Sequence, residues 1–182
     1  MIWTLSLAAL AQTAPPVPEG VNAQAYRPPM DSERTLWADD AGVILKKGTF
    51  KARLFGHYVH NPFVFYPTDG SERTVIVSDA MQLDALVMFH INRFRLGVDI
   101  PVYPVSAGEL TSNGAGLGDL ALDGRVTLLD HDDNPVGAAV GGRLTLPTTT
   151  VDAPLGYKGV SGEVFGILDS KFNRWLFTLN LG

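Results

Sequence analysis

The sequence predicts an all-β fold, an antiparallel up-and-down transmembrane β-barrel of which about six to eight strands are present. From about Met81 to the last residue, apolar residues recur at every second position in segments of roughly ten residues. Turns that are alternately short and long separate these segments. The segments match the ~9–11 residues that a tilted strand needs to cross a bilayer, whereas soluble strands average about 5–6 residues.

The composition supports one folded β-domain. The chain has 182 residues, of which 46% are hydrophobic, and its 19 Gly and 12 Pro accompany frequent Val, Leu, Thr and Phe. A net charge of −5 with no concentrated basic face excludes a nucleic-acid surface, so we expect no nucleic-acid partner. The absence of cysteine excludes disulfides, thiolate catalysis and zinc-thiolate sites.

The N-terminus predicts export. Residues 2–11 are almost all apolar or small and end in Ala9-Leu10-Ala11, which favours a signal peptide over residues 1–11, cleaved after Ala11. No apolar run approaches the ~18–20 residues that a spanning helix requires, so a membrane would be crossed by strands. Residues 12–48 form a Pro-rich leader, and residues 49–182 form the barrel domain, which is predicted to be incomplete.

The elements follow in order from a first strand that begins near Thr49. An Asp69-Gly70 turn precedes extended structure at Thr74–Val77, and Asn92-Arg93 forms a tight hairpin. Later strands are predicted at 118–129, 135–146, 160–168 and 174–182. Short turns lie at 130–134 and 169–173, and long loops at 102–116 and 147–159. In bacterial barrels short turns face the periplasm and long loops face outward, which gives the predicted topology.

The two faces of the strands differ in chemistry. A two-residue turn at Asn92-Arg93 pairs Ile91 with Phe94, and continuing this register keeps apolar residues opposite one another. The other face carries charges that suit a hydrated lumen better than a soluble core. The predicted lumen-lining residues are Asp84, His90, Arg95, Asp99, Asp119, Asp123, Arg125, Arg143 and Glu163. The predicted interfacial aromatic residues are Phe89, Phe94, Tyr103, Tyr157, Phe172 and Trp175.

Three stretches of sequence resemble a known family of membrane barrels. They are Phe94-Arg95-Leu96-Gly97-Val98-Asp99-Ile100-Pro101-Val102 with the preceding Gln82-Leu83-Asp84, then Gly116-Leu117-Gly118-Asp119-Leu120, and Gly142-Arg143-Leu144-Thr145-Leu146-Pro147-Thr148. This pattern resembles the amino-terminal barrel of OmpA-family outer-membrane proteins of the myxobacterial type, and related putative outer-membrane transporter barrels. Thr149 stands where that family usually has glycine. The resemblance implies further strands, a carboxy-terminal truncation here, and a missing periplasmic domain that grips peptidoglycan.

No motif predicts a metal, a cofactor or catalysis. The glycines of 114–118 follow a loop and open a strand, unlike a nucleotide-binding turn, which opens a helix. The acidic turn 130–134 resembles a calcium loop, but Pro135 occupies the position that needs glycine. His57 and His60 lie three apart and so face opposite sides of a strand. His90 lacks a nucleophile or substrate partner, so we expect no enzyme activity.

These patterns predict an outer-membrane protein of a Gram-negative bacterium. It would contact outer-membrane lipid and act as a structural anchor or as a narrow passive porin or transporter for small solutes. The lumen charges would either pair into a plug or line water and set ion preference. One alternative is a secreted soluble β-sandwich that binds a ligand through loops 102–116 and 147–159. Another is a lipid-modifying enzyme at the barrel rim.

Overall fold

The computed structural model describes residues 27–30, 39, 48–68, 72–108, 114–130, 134–151, 155–156 and 159–182. The predicted signal peptide and most of the predicted leader lie outside these residues, so both stay predictions from the sequence. Within the described ranges, no helix is long and apolar enough to cross a membrane.

The described chain is all-β, as predicted. Its strands are β1 Thr49–Phe65, β2 Thr74–Ile91, β3 Phe94–Ala107, β4 Gly114–Leu117, β5 Ala121–Leu129, β6 Val136–Thr145, β7 Ser161–Phe172 and β8 Trp175–Leu181. They form one antiparallel sheet in the order β1-β2-β3-β5-β6-β7-β8, with β4 also paired to β3. Neighbours in this order follow one another along the chain, except that the short β4 lies between β3 and β5, and the sheet curls into a half-barrel. The prediction of an up-and-down, partial barrel is therefore confirmed.

The register of the first tight hairpin matches the predicted one. Ile91 pairs with Phe94, Phe89 with Leu96 and Val87 with Val98. The turn residue Asn92 has φ of 50° and Asn173, in the β7–β8 turn, has φ of 55°. Asparagine tolerates this left-handed conformation better than most residues, which explains why both turns are two residues long and tight.

Two predicted strand ends are wrong. Strand β3 continues to Ala107, well into the predicted loop 102–116, because a bulge accommodates its second proline. Leu83 pairs with Val102 and Met81 with Val105, so β3 has one more residue than β2 between these two pairs. Pro104 lies in this bulge, where its lack of an N–H removes no hydrogen bond between the strands. Strand β7 continues through the predicted turn 169–173 to Phe172, which pairs with Trp175.

Strands β4 and β5 behave as two halves of one long strand. Both pair with β3, with Leu117 opposite Val102 and Ala121 opposite Asp99. At the break between them the Gly118 amide donates to the Pro101 carbonyl at 2.8 Å. A Cβ at Gly118 would lie 2.9 Å from both the Pro101 and Tyr103 side chains, so only glycine fits this close approach.

The sheet has two free edges within the described chain, β1 and β8. Seven strands follow one another in antiparallel order, so β1 and β8 run in the same direction. An antiparallel closure of this sheet therefore needs an odd number of additional strands. This arrangement agrees with the prediction of an incompletely closed barrel.

Candidate functional site

The concave face of the half-barrel is the candidate functional site, because the sheet buries its polar face and exposes its apolar one. On β2 and β3 the inward residues Asp84 and Arg95 are 0% and 1% exposed. The outward residues Phe94 and Leu96 are 56% and 64% exposed. Large apolar side chains face outward along the later strands as well, among them Leu122, Leu144, Val164, Phe177 and Leu179. This arrangement is the inverse of a soluble protein with an apolar core.

An ion-pair cluster occupies the centre of the concave face. The Arg95 guanidinium contacts both carboxylate oxygens of Asp39, each at 3.1 Å. The same guanidinium donates to Asp123 Oδ1 at 2.7 Å. The second oxygen of Asp123 lies 3.6 Å from Arg143 Nε. Planar, bidentate pairing of this kind fixes the relative orientation of the Arg95 and Asp39 side chains.

The strand register produces this cluster. Asp123 on β5 lies opposite Gly97 on β3, one inward position from Arg95, and directly opposite Arg143 on β6. Arg143 in turn lies opposite Glu163 on β7. Charges of alternating sign therefore cross four neighbouring strands in one row. Such a row presents both signs to any solute in the interior.

A second polar group lies along the same face, toward the long loops. The Gln82 amide donates to one oxygen of Asp84, and His57 Nδ1 lies 3.8 Å from the other. Asp99 is 3% exposed and lies opposite Leu86, the inward residue next to Asp84. Among the described residues, Asp84 Oδ2 and Asp99 Oδ1 accept no hydrogen bond. Buried carboxylate oxygens of this kind need water or a partner, which suits a hydrated interior.

The other predicted lumen residues also lie on the concave face, with different degrees of burial. His90 and Arg125 are each 3% exposed, and both lie opposite Arg95 in the register. Asp119 is 6% exposed and accepts a bond from the Thr149 amide at 3.1 Å. Glu163 is exposed and borders a cavity of about 450 Å³. Asp119 thus anchors the loop that follows β6, whereas Glu163 faces the cavity.

The predicted interfacial aromatic residues divide into two groups. Phe89, Phe94, Phe172 and Trp175 are 44%, 56%, 74% and 60% exposed, and all lie beside the two tight turns. Tyr103 departs from the prediction, since it is 2% exposed and packs with Ile76, Val77 and Leu155. Tyr103 lies an even number of residues from Arg95 on β3, so both side chains point to the concave face. Tyr157 lies outside the described residues.

Sequence reasoning missed the residues of the leader that lie inside the half-barrel. Arg27 Nη1 donates to Thr145 Oγ1 at 3.2 Å, and Arg53 Nη1 donates to the Pro29 carbonyl at 3.4 Å. Met30 is 0% exposed and packs with Leu86 and Met88. The available signal was the proline pair 28–29, because proline favours an extended backbone that fits a narrow interior.

A polar cluster on the outward face was also missed. Tyr58 Oη donates to Asp79 Oδ1, and His60 Nδ1 lies 2.9 Å from the same oxygen. His60 Nε2 lies 2.9 Å from Asn61 Nδ2, so both ring nitrogens are engaged. The cluster marks where the apolar outward face of β1 and β2 ends.

The described residues contain no group of three or more His, Cys, Asp or Glu side chains that could hold a metal ion. Comparisons of the chain with protein-family models, curated proteins and solved structures found no match. The resemblance to OmpA-family barrels therefore remains a prediction from the sequence.

Proposed function

We propose that this chain is an outer-membrane β-barrel protein whose polar interior forms a narrow passage for small solutes. The observation that carries the proposal is the inverted sheet, with charges on the buried concave face and apolar side chains on the exposed face. In water, an apolar surface of this extent would drive association, whereas hydrocarbon requires such a surface. The interior charges then face water or one another, as they do in membrane barrels.

The height of the apolar face fits a bilayer. On β2 the outward apolar residues extend from Met81 to Ile91, between Asp79 at one end and the Asn92 turn at the other. Ten residue steps of ~3.3 Å cover about 33 Å along the strand. A strand tilt of about 40° reduces this length to about 25 Å, the height of the apolar band of outer-membrane barrels.

The soluble β-sandwich is less well supported. A sandwich would cover its apolar face with a second sheet and turn its polar face to water. In the described chain the strands form one sheet, and the polar face is the covered one. Arg95 illustrates the difference, since a sandwich would leave this side chain in solvent rather than at 1% exposure.

A passage accounts for the interior better than an anchor alone. An anchor needs only a filled core, yet the concave face carries the row Arg95, Asp123, Arg143 and Glu163 with both signs of charge. Opposed charges at a constriction set the preference of a pore among small ions and solutes. We therefore expect a narrow pore that passes small polar solutes and excludes large ones.

Cell fractionation tests the proposal. The chain, expressed with its N-terminus in a Gram-negative host, should sediment with outer membranes and require detergent for extraction. In detergent it should migrate faster before boiling than after, because a folded barrel resists denaturation. Recovery in the soluble fraction with the same mobility before and after boiling would refute the proposal.

A further inference from the structure

Part of the concave face is a built docking site for the chain's own N-terminal residues. We call Arg27–Met30 together with Asp39 the inner segment. Its residues contact strands on both sides of the half-barrel, through Thr145 on β6, Arg95 on β3 and Asn180 on β8. An adventitious contact would use one side of the cavity, whereas this segment is held from several directions.

Asp39 forms the polar half of this docking site. Its carboxylate accepts two bonds from Arg95, while its amide donates to Asn180 Oδ1 and its carbonyl accepts from Asn180 Nδ2, both at 3.0 Å. Strands β3 and β8 are four places apart in the sheet. This separation is about 19 Å along the curved sheet at ~4.8 Å per strand. One residue therefore bridges the concavity, beside a cavity of about 450 Å³ that Asp39 and Asn180 also line.

Met30 forms the apolar half. Leu86 and Met88 are the apolar exceptions on the inward face of β2, between Asp84 and His90, and Met30 is buried against both. The Met30 sulfur lies 3.2 Å from where a Cβ of Gly97 would be, so glycine makes room for it. An apolar patch inside a polar interior is costly in contact with water, and Met30 covers it.

We infer that the concave face binds the inner segment through Asp39 and Met30, and that this segment closes the passage until the Asp39 contacts are released. The inference rests on the proposed function, because closure has meaning only for a chain that forms a passage. Release is feasible because Arg95 retains Asp123 when Asp39 departs. Arg95 is then not left buried without an acid.

Docking is tested by cross-linking in the folded chain, which has no cysteine of its own. The double variant Met30→Cys, Gly97→Cys should form a disulfide in membranes on mild oxidation. The matched control Met30→Cys, Leu96→Cys should not, because Leu96 is 64% exposed on the opposite face. Absence of the first cross-link in protein that fractionates with outer membranes would overturn docking. Failure to reach the outer membrane would instead contradict the proposed function.

Closure is tested by conductance in planar bilayers with potassium chloride as the probe. The variant Asp39→Asn, Asn180→Ala should shift the ratio of closed to open states by roughly tenfold or more. It removes the carboxylate charge that pairs with Arg95 and the two Asn180 bonds to the Asp39 backbone. The control Asp130→Asn neutralises an aspartate outside the docking site that is similarly buried, at 8% exposure against 6% for Asp39. It should conduct like the unmodified chain. Unchanged conductance of the double variant, with cross-linking intact, would overturn closure.

Oxidation of the cysteine pair provides the reciprocal test. When Met30→Cys, Gly97→Cys is combined with Asp39→Asn, Asn180→Ala, the disulfide should restore the closed state and reduction should open it. If the oxidised and reduced proteins conduct equally, the inner segment is not the barrier.

Discussion

Replacing Leu122 by arginine tests whether the outward face meets hydrocarbon. Leu122 lies on β5 opposite Val98, which lies opposite Val87 on β2. Val87 is four residues from Ile91 at the turn end of the apolar band and six from Met81 at its other end. This position is close to the middle of the apolar band. Arginine at the bilayer midplane costs about 2–4 kcal/mol in membrane barrels. The folded-to-unfolded ratio in lipid should therefore fall by about 30-fold to 900-fold.

The control for this prediction lies on the same strand and the same face. Leu128 is 51% exposed and its carbonyl accepts from Arg93 at 2.8 Å, so it lies at the edge of the band. Arginine there should cost only about 0–1 kcal/mol. Both costs are measured by urea titration of protein folded in phospholipid vesicles. If this face met water instead, Leu122→Arg would change stability by less than about 0.5 kcal/mol, and equal costs at the two sites would also refute the reasoning.

Three further changes test the interior, the strand break and the tight turn. Asp123→Ala should lower the free energy of unfolding, measured by urea titration, by about 1–3 kcal/mol. Arg95 and Arg143 both lose a buried acid, although Arg95 keeps Asp39. An unchanged free energy of unfolding would refute the ion pairs of Asp123. Gly118→Val should lower the free energy of unfolding by about 1–3 kcal/mol, because the new side chain collides with Pro101 and Tyr103. In the same titration Gly114→Val should lower it clearly less, because a Cβ there meets nothing within 4 Å. Asn92→Val should cost about 1–3 kcal/mol because of its φ of 50°, and Asn92→Gly should be tolerated; equal unfolding midpoints for the two variants would refute a left-handed Asn92.

Much of the sheet could be predicted from alternation alone. The pairing of Phe89 with Leu96 follows from a two-residue turn and a period of two, and both are local properties of the sequence. The end of β3 could not be predicted, since Pro104 normally interrupts a strand and the bulge that accommodates it depends on β2. The sequence predicts Tyr103 at the membrane interface from its residue type and its position beside a long loop, but its place in the strand alternation turns it inward.

The candidate site was less predictable than the sheet. The charges of β3, β5 and β6 could be assigned to one face, because alternation fixes the face of every strand residue. The contribution of Asp39 could not, because the leader has no period and its contacts with Arg95 and Asn180 join residues far apart in sequence. A docking partner of this kind is fixed by shape and charge in three dimensions.

The proposed function requires that the apolar face of the sheet meets lipid while the charged face does not. The most direct test places single cysteines along β2 in the cysteine-free chain, labels each with a fluorophore, and reconstitutes the protein in vesicles of brominated lipid. Labels at the outward positions Leu83, Ala85, Val87 and Phe89 should be quenched by the lipid, and labels at Asp84, Leu86 and Met88 should not. Quenching of the outward set by aqueous iodide instead of brominated lipid would show that this face meets water and would refute the proposed function.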